Sequence, residues 1–264
     1  CEGRAGAHGG VYLDVSDVPR QLQETVLSQA WDTAKRAGVD LSYQSIELAP
    51  YPHDLIGGVQ IDEAASTNVP GLFAAGEAAG GSHGASRFGG AALADALAFG
   101  EISARSAVHY ARELEEQPPV DERQLAEAER RLEALLSPNE GINPSELKRN
   151  IQSIAHNYLN VVKNEEGLTR ALHELGRIEE EMLPRMSAWA EEQRERASRM
   201  REAIEVKGQL ETAKAMATAS LYRTESRGGL YGGNYRSDYP DQDDDNWLKN
   251  IVLTREQDGS ISCR

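Results

Sequence analysis

An α/β portion followed by an all-α helical bundle is the fold class this sequence predicts, and three observations predict it. Eight of the 24 glycines crowd between Gly71 and Gly100 among short strand-like runs, so backbone there must approach something closely. From about Pro119 to Tyr222 apolar residues fall three and four apart, as in Leu172, Leu175, Ile178 and Met182, the spacing of one helix face. From Arg223 onward the composition turns to glycine, tyrosine and aspartate, which marks a tail rather than another helix.

The elements follow in order. Gly10 to Asp14 reads as a short strand and Pro19 to Ala37 as one helix. Pro19 suits the first turn, where its missing N–H costs little, and Gly38 suits the stop. Ser45 to Ala49 reads as a second strand and Val59 to Asp62 as a third. Val69-Pro70-Gly71 is a turn signal, and Leu72 to Ala75 reads as a short buried strand. A helix starts near Gly90 and runs through Ala92, Leu93, Ala96, Leu97 and Ala104. Its early turns are small and apolar nearly all round, which predicts burial. Further helices are predicted from Glu122 to Leu136, Pro144 to Val162, Leu168 to about Ala197, and about Met200 to Tyr222. Asn143-Pro144 supplies a cap and a first-turn proline. These helices suggest an antiparallel bundle. Ile251 to Thr254 is strand-like.

Charge narrows the function classes. The 264 residues carry a net charge of −15, which argues against a nucleic-acid partner and an anionic membrane surface. No apolar run is long enough to span a bilayer, so no direct membrane insertion is expected. The two cysteines, Cys1 and Cys263, read as reduced thiols in a cytoplasmic protein, not as a disulfide or metal framework.

Three runs carry the chemistry. The first is Gly57-Gly58-Val-Gln-Ile-Asp62. The second is Val69-Pro-Gly-Leu-Phe-Ala-Ala-Gly76-Glu77 with His83-Gly-Ala-Ser-Arg87-Phe-Gly89-Gly90. The third is Arg223-Thr-Glu-Ser-Arg227-Gly-Gly, then Asp238-Tyr-Pro, then Trp247-Leu-Lys. In this order they resemble the second half of a succinate dehydrogenase/fumarate reductase flavoprotein. The resemblance covers nearly the whole chain.

That resemblance implies an α/β region made of the end of a substrate-capping domain (1–56) and the C-terminal segment of an FAD-binding Rossmann-like domain (57–107). A helical domain (108–222) and a tail packed on the core (223–264) would follow. No Gly-x-Gly-x-x-Gly turn stands between a strand and a helix. The chain is therefore expected to be the C-terminal part of a larger flavoenzyme or one piece of a split one. Its partners would be a dicarboxylate substrate, the missing N-terminal FAD-binding half and an iron–sulfur protein. Through such partner proteins it would sit peripherally at the inner face of a membrane.

The same resemblance assigns residues. Glu77, beside Gly76, would hold the adenosine ribose of FAD. Gly89 and Gly90 would bring a helix N-terminus to the flavin, with backbone contacts from Ala92 and Leu93. Ala91 stands where the family usually has asparagine. Arg87 would grip a substrate carboxylate, a task that suits a planar, always-charged guanidinium. His53, ahead of Gly57-Gly58 by the spacing of the family's His-x-x-x-Gly-Gly motif, would bind substrate with it. His83 would orient Arg87 or satisfy polar groups of the core. In the tail the family's Ala-His pair is replaced by Gly229-Leu230-Tyr231-Gly232, so a packing role is expected there. The acidic run Asp241 to Asp245 reads as a solvated turn and not a metal site. Relatives acting on other substrates, L-aspartate oxidase and adenylylsulfate reductase, share the pattern. A non-catalytic helical remnant is the contrasting possibility.

Overall fold

The computed structural model describes residues 6–7, 10–48, 53–138, 141–228, 233–256 and 260–264. Cys1 and the segment Gly229 to Gly232 lie outside the described residues. The chain divides into two compact units, Cys1–Leu55 and Ile56–Arg264.

The first unit pairs β1 (Val11–Leu13) antiparallel with β2 (Ile46–Leu48). Between them run α1 (Arg20–Val26) and α2 (Ser28–Arg36), where the sequence predicts a single helix. The break at Leu27 lets Leu27 and Trp31 pack on the small core of Val15, Ala34 and Leu41. Gln23 is buried beneath the turn and donates to the Val15 and Val18 carbonyls at 2.6 and 2.7 Å. Gly38, at φ +79°, ends α2 as expected.

The second unit opens with β3 (Val59–Gln60), paired in parallel with β4 (Ala79–Gly80). Leu72 to Ala75 does not form the predicted buried strand. Only a Ser66–Phe73 bridge forms there, and Leu72 is exposed. A strand needs a continuous ladder partner, and among the described residues this segment finds a single bridge. The helix predicted from Gly90 is α3 (Ala91–Glu113), 23 residues long with no buried residue, contrary to the expectation from its apolar composition. One side is held by Gly76 against Ala96 and by Phe73 edge-on to Tyr110. Phe88, just ahead of it, and Leu93 and Leu97 within it are 87, 76 and 75% exposed. Composition asked for a covering layer, and the described residues do not supply one.

Then come α4 (Glu122–Leu136), capped by the Asp121 carboxylate, and α5 (Pro144–Tyr158), capped by Asn143. A short strand β5 (Val162–Lys163) separates α5 from α6 (Glu165–Arg177). α6 does not continue to about Ala197. It loosens into a π-turn over Ile178–Met182, then a 3-10 turn over Leu183–Arg185. Pro184 is the cause: it has no N–H to give the preceding turn and its ring crowds the carbonyl four residues back. The longest helix, α7 (Gln193–Tyr222), follows.

Helices α5, α6 and α7 interlock around Leu147, Ile151, Leu168, Leu175, Ile178, Val206 and Leu210. Of the predicted stripe, Leu175 and Ile178 are buried, while Leu172 and Met182 flank them. α4 lies beside α7 and buries no residue. Three packed helices and one peripheral one therefore replace an even bundle.

The tail is built on ions. β6 (Tyr235–Arg236) pairs in parallel with β5, α8 (Asp244–Trp247) is a single turn, and β7 (Leu253–Arg255) pairs antiparallel with β8 (Ile261–Cys263). Arg236 is buried and donates to the carbonyls of Ser220, Leu221 and Arg223, closing the C-terminal end of α7. The acidic run is not merely solvated: Asp243 caps α8 and Asp244 pairs with Arg227. No metal-binding cluster occurs among the described residues.

Candidate functional site

Gly90 is the N-cap of α3 at φ +84°, a left-handed conformation that a side chain would strain. No side chain caps the helix there, so the amides of its first turn, at Ala92 and Leu93, point outward without an intrahelical partner. A side chain added at Gly89 or Gly90 would meet nothing within 4 Å. This helix end is thus open, uncapped and flanked by the exposed Phe88 and Leu93.

Gly76 is buried in a 3-10 turn, Gly76–Ala78, close to Ala96 one turn further along α3. The exposed Glu77 follows it on the same turn. His83 Nε2 lies 3.9 Å from Asp95 Oδ2, with the two side chains 18 and 8% exposed. Arg87 is half-buried in the loop that enters α3. The structure therefore gathers Gly76, Glu77, His83, Arg87, Gly89, Gly90, Ala92 and Leu93 around the first half of one helix. His53 belongs to the other unit, where it is exposed and outside any strand or helix.

Two features of this region escape the sequence reading. Asp95 is the lone carboxylate in the apolar run from Ala91 to Gly100, and that isolation is the available signal. Gly228, from the tail, stands against the carbonyl of Ala85 in the His83–Arg87 loop. The Arg227-Gly228-Gly229 run hints at close approach, but nothing in it names the partner.

An FAD molecule places a large planar ring and a pyrophosphate against protein backbone. The open, side-chain-free N-terminus of α3 fits such a neighbour. Unpaired amides there favour an electron-rich edge, and the bare apolar side chains beside them favour a planar one.

Comparison with known proteins points to flavoproteins. Residues 2–93 match the family model described as FAD binding domain, and residues 148–264 match the one described as fumarate reductase flavoprotein C-term. An uncharacterized FAD-dependent oxidoreductase of Methanocaldococcus jannaschii is 33% identical over 253 residues, covering 96% of this chain and 44% of that protein. The fumarate reductase (CoM/CoB) of Methanothermobacter marburgensis has a polypeptide 32% identical to this chain, with coverage of 97% here and 45% there. The apo form of the Mycobacterium smegmatis Sdh1 complex superposes with a TM-score of 0.86 at 32% identity, over 100% of this chain and 44% of that one. The chain thus spans less than half the length of the relatives it matches. Two family models, and relatives sharing about a third of residues along nearly its whole length, make the chain similar to the C-terminal part of succinate dehydrogenase/fumarate reductase flavoproteins, with FAD as the cofactor they point to.

Proposed function

We propose that this chain forms the substrate-gripping part of a flavoenzyme that interconverts a dicarboxylate such as succinate and fumarate. The observation that carries the reading is Arg87, half-buried in the loop that delivers the chain to the open N-terminus of α3. When bound, FAD supplies the hydride acceptor or donor for the carbon next to a carboxylate. Arg87 holds one substrate carboxylate by a two-pronged, charge-assisted contact, and the family resemblance assigns His53 to substrate as well. The amides of Ala92 and Leu93 lend positive potential at the helix end, where negative charge would gather. Glu77 accepts hydrogen bonds from the ribose hydroxyls. Phe88 and Leu93 are exposed in this chain; once covered by the rest of the flavoprotein they would keep the neighbourhood poor in water and strengthen each of these contacts.

Electrons would pass to or from an iron–sulfur partner protein. The remaining FAD-binding portion of the flavoprotein would cover the bare side of α3. Among the described residues no helix is long and apolar enough to cross a membrane. A peripheral place at the inner membrane face, held through partner proteins, is part of the same proposal.

The test uses the full-length enzyme. Arg87→Ala should lower dicarboxylate turnover per unit substrate on the order of a hundredfold or more while flavin absorbance stays normal. Near-wild-type turnover would remove Arg87 from the site, and loss of flavin would reassign it to cofactor binding.

A further inference from the structure

The loop from Gly81 to Gly90 lies outside any strand or helix, and Gly84 within it sits at φ +59°. A segment of this kind does not fix its own position, because no ladder or helix bonds define it. Its place is set by contacts with the rest of the protein, His83 with Asp95 on α3 among them.

The tail reaches it. Gly228 adopts φ +100°, and a Cβ there would stand 2.3 Å from the Ala85 carbonyl oxygen. Any side chain would therefore force the two backbones apart. The same Cβ would come within 2.6 Å of Gly233 Cα, while one on Gly233 would lie 2.1 Å from the Arg227 carbonyl. Gly228 and Gly233 thus lie against each other, and the Arg227 N–H donates to the Asn234 carbonyl at 3.0 Å. Arg227 is held by ion pairs as well. Arg227 Nε and Nη2 donate to the two oxygens of buried Glu225, and Nη2 also donates to Asp244 at 2.7 Å. Glu225 in turn accepts from Arg223 at the end of α7 and from the Asp243 amide.

We infer that Gly228 is a positioning residue for Arg87. The helical domain, through Glu225 and Arg227, presses the backbone of Gly228 against Ala85, two residues before Arg87, and so sets where the guanidinium stands. Dicarboxylate affinity is thereby coupled to the anchorage of the tail. This inference rests on the reading of Arg87 as the substrate grip.

The experiment compares the full-length wild-type flavoenzyme with Arg87→Ala, Gly228→Ala and Gly208→Ala. Gly208 lies on exposed α7 surface with open space around it, so its variant is the control for adding a methyl group. Malonate serves as the probe, a dicarboxylate with no second methylene to dehydrogenate, and its Kd is read by calorimetry beside flavin absorbance and Tm. Displacing a gripping group by about 1 Å can cost on the order of a hundredfold. Gly228→Ala should therefore weaken malonate about tenfold or more with flavin content near normal, at a Tm lowered by the strain of the added methyl group. Arg87→Ala should weaken it further, and Gly208→Ala should leave it unchanged. If Arg87→Ala loses malonate while Gly228→Ala binds it like wild type, the coupling is wrong and the grip stands. If neither variant weakens binding, the grip itself is wrong. Should Gly228→Ala fail to fold, Arg227→Lys loosens the same strut without adding bulk, and unchanged malonate affinity there overturns the inference.

Discussion

Arg227 and Glu225 are locked in a two-pronged ion pair, Nε to Oε1 at 2.7 Å and Nη2 to Oε2 at 2.9 Å, around a carboxylate with no exposed surface. Arg223 Nη1 adds a third bond at 2.5 Å and the Asp243 amide a fourth at 2.9 Å. Such a group is worth little when replaced whole by apolar packing. It is costly to break halfway, because the partners stay buried and unpaired.

Glu225→Ala should therefore destabilise the protein by about 3–5 kcal/mol, since two arginines and an amide lose their acceptor together. Denaturant titration followed by far-UV circular dichroism reads this directly. A loss below about 1 kcal/mol, the range of an exposed pair, would mean that the carboxylate is hydrated in solution.

Asp238 gives the tail an acid limit. Hydrogen bonds from Arg236 Nε and Nη2, at 2.8 and 2.7 Å, pull its pKa from 3.8 to about 2, aided by the Glu165 amide. The folded value lies below the unfolded one, so this stabilisation is complete above about pH 3.8 and fades as pH falls toward 2. Glu225 acts in the same sense. Burial pushes its carboxyl up, but Arg227, the Asp243 amide and Arg223 together hold it below the ordinary range. Asp238→Asn should be less stable than wild type near neutrality and should lose less on acidification. Urea midpoints at about pH 7 and about pH 3 make the comparison. Equal acid sensitivity in both proteins would locate the acid limit elsewhere.

Leu175 is fully buried between α5, α6 and α7. Leu175→Ala should cost roughly 2–5 kcal/mol, depending on how far the neighbours collapse into the space. Unchanged thermal unfolding in a sample confirmed to be folded would move the core off this face.

The 264-residue chain by itself should hold FAD weakly. It carries no Gly-x-Gly-x-x-Gly turn to cradle the pyrophosphate, and α3 offers one open helix end against a ligand that spans much more. Equilibrium dialysis makes the measurement: stoichiometric retention at low micromolar protein would contradict it.

Arg87→Lys in the full-length enzyme should not restore what Arg87→Ala loses. A compact ammonium cannot reproduce two parallel N–H bonds to one carboxylate. Turnover within about threefold of wild type would show that charge alone suffices at this position.

Local chemistry is legible wherever it acts alone. Asn143-Pro144 and the apolar period mark α5, and Gly38 marks the end of α2. Pro184 is just as plain a signal, and a periodic pattern running past it conceals it. Long-range facts are not legible. Arg236 looks like any surface arginine in the sequence, yet it closes α7 because the tail returns beside β5. The loop carrying Arg87 can be picked out by its run of residues, but the contact of Gly228 with Ala85 joins positions more than a hundred residues apart. No local pattern encodes such a meeting. The burial expected of α3 fails for the opposite reason: its composition describes a complete neighbourhood, whereas its exposure depends on which chain segments are present to cover it.

The bare stripe of Phe88, Leu93 and Leu97 also sets how the isolated chain behaves in a test tube. Its net charge of −15 keeps molecules apart at low ionic strength, while the stripe draws them together. Added salt screens the repulsion within about 10 Å at 0.1 M and leaves the apolar attraction intact. Self-association should therefore rise with salt, the reverse of an assembly held by ion pairs, and excluded salts such as sulfate should drive it hardest.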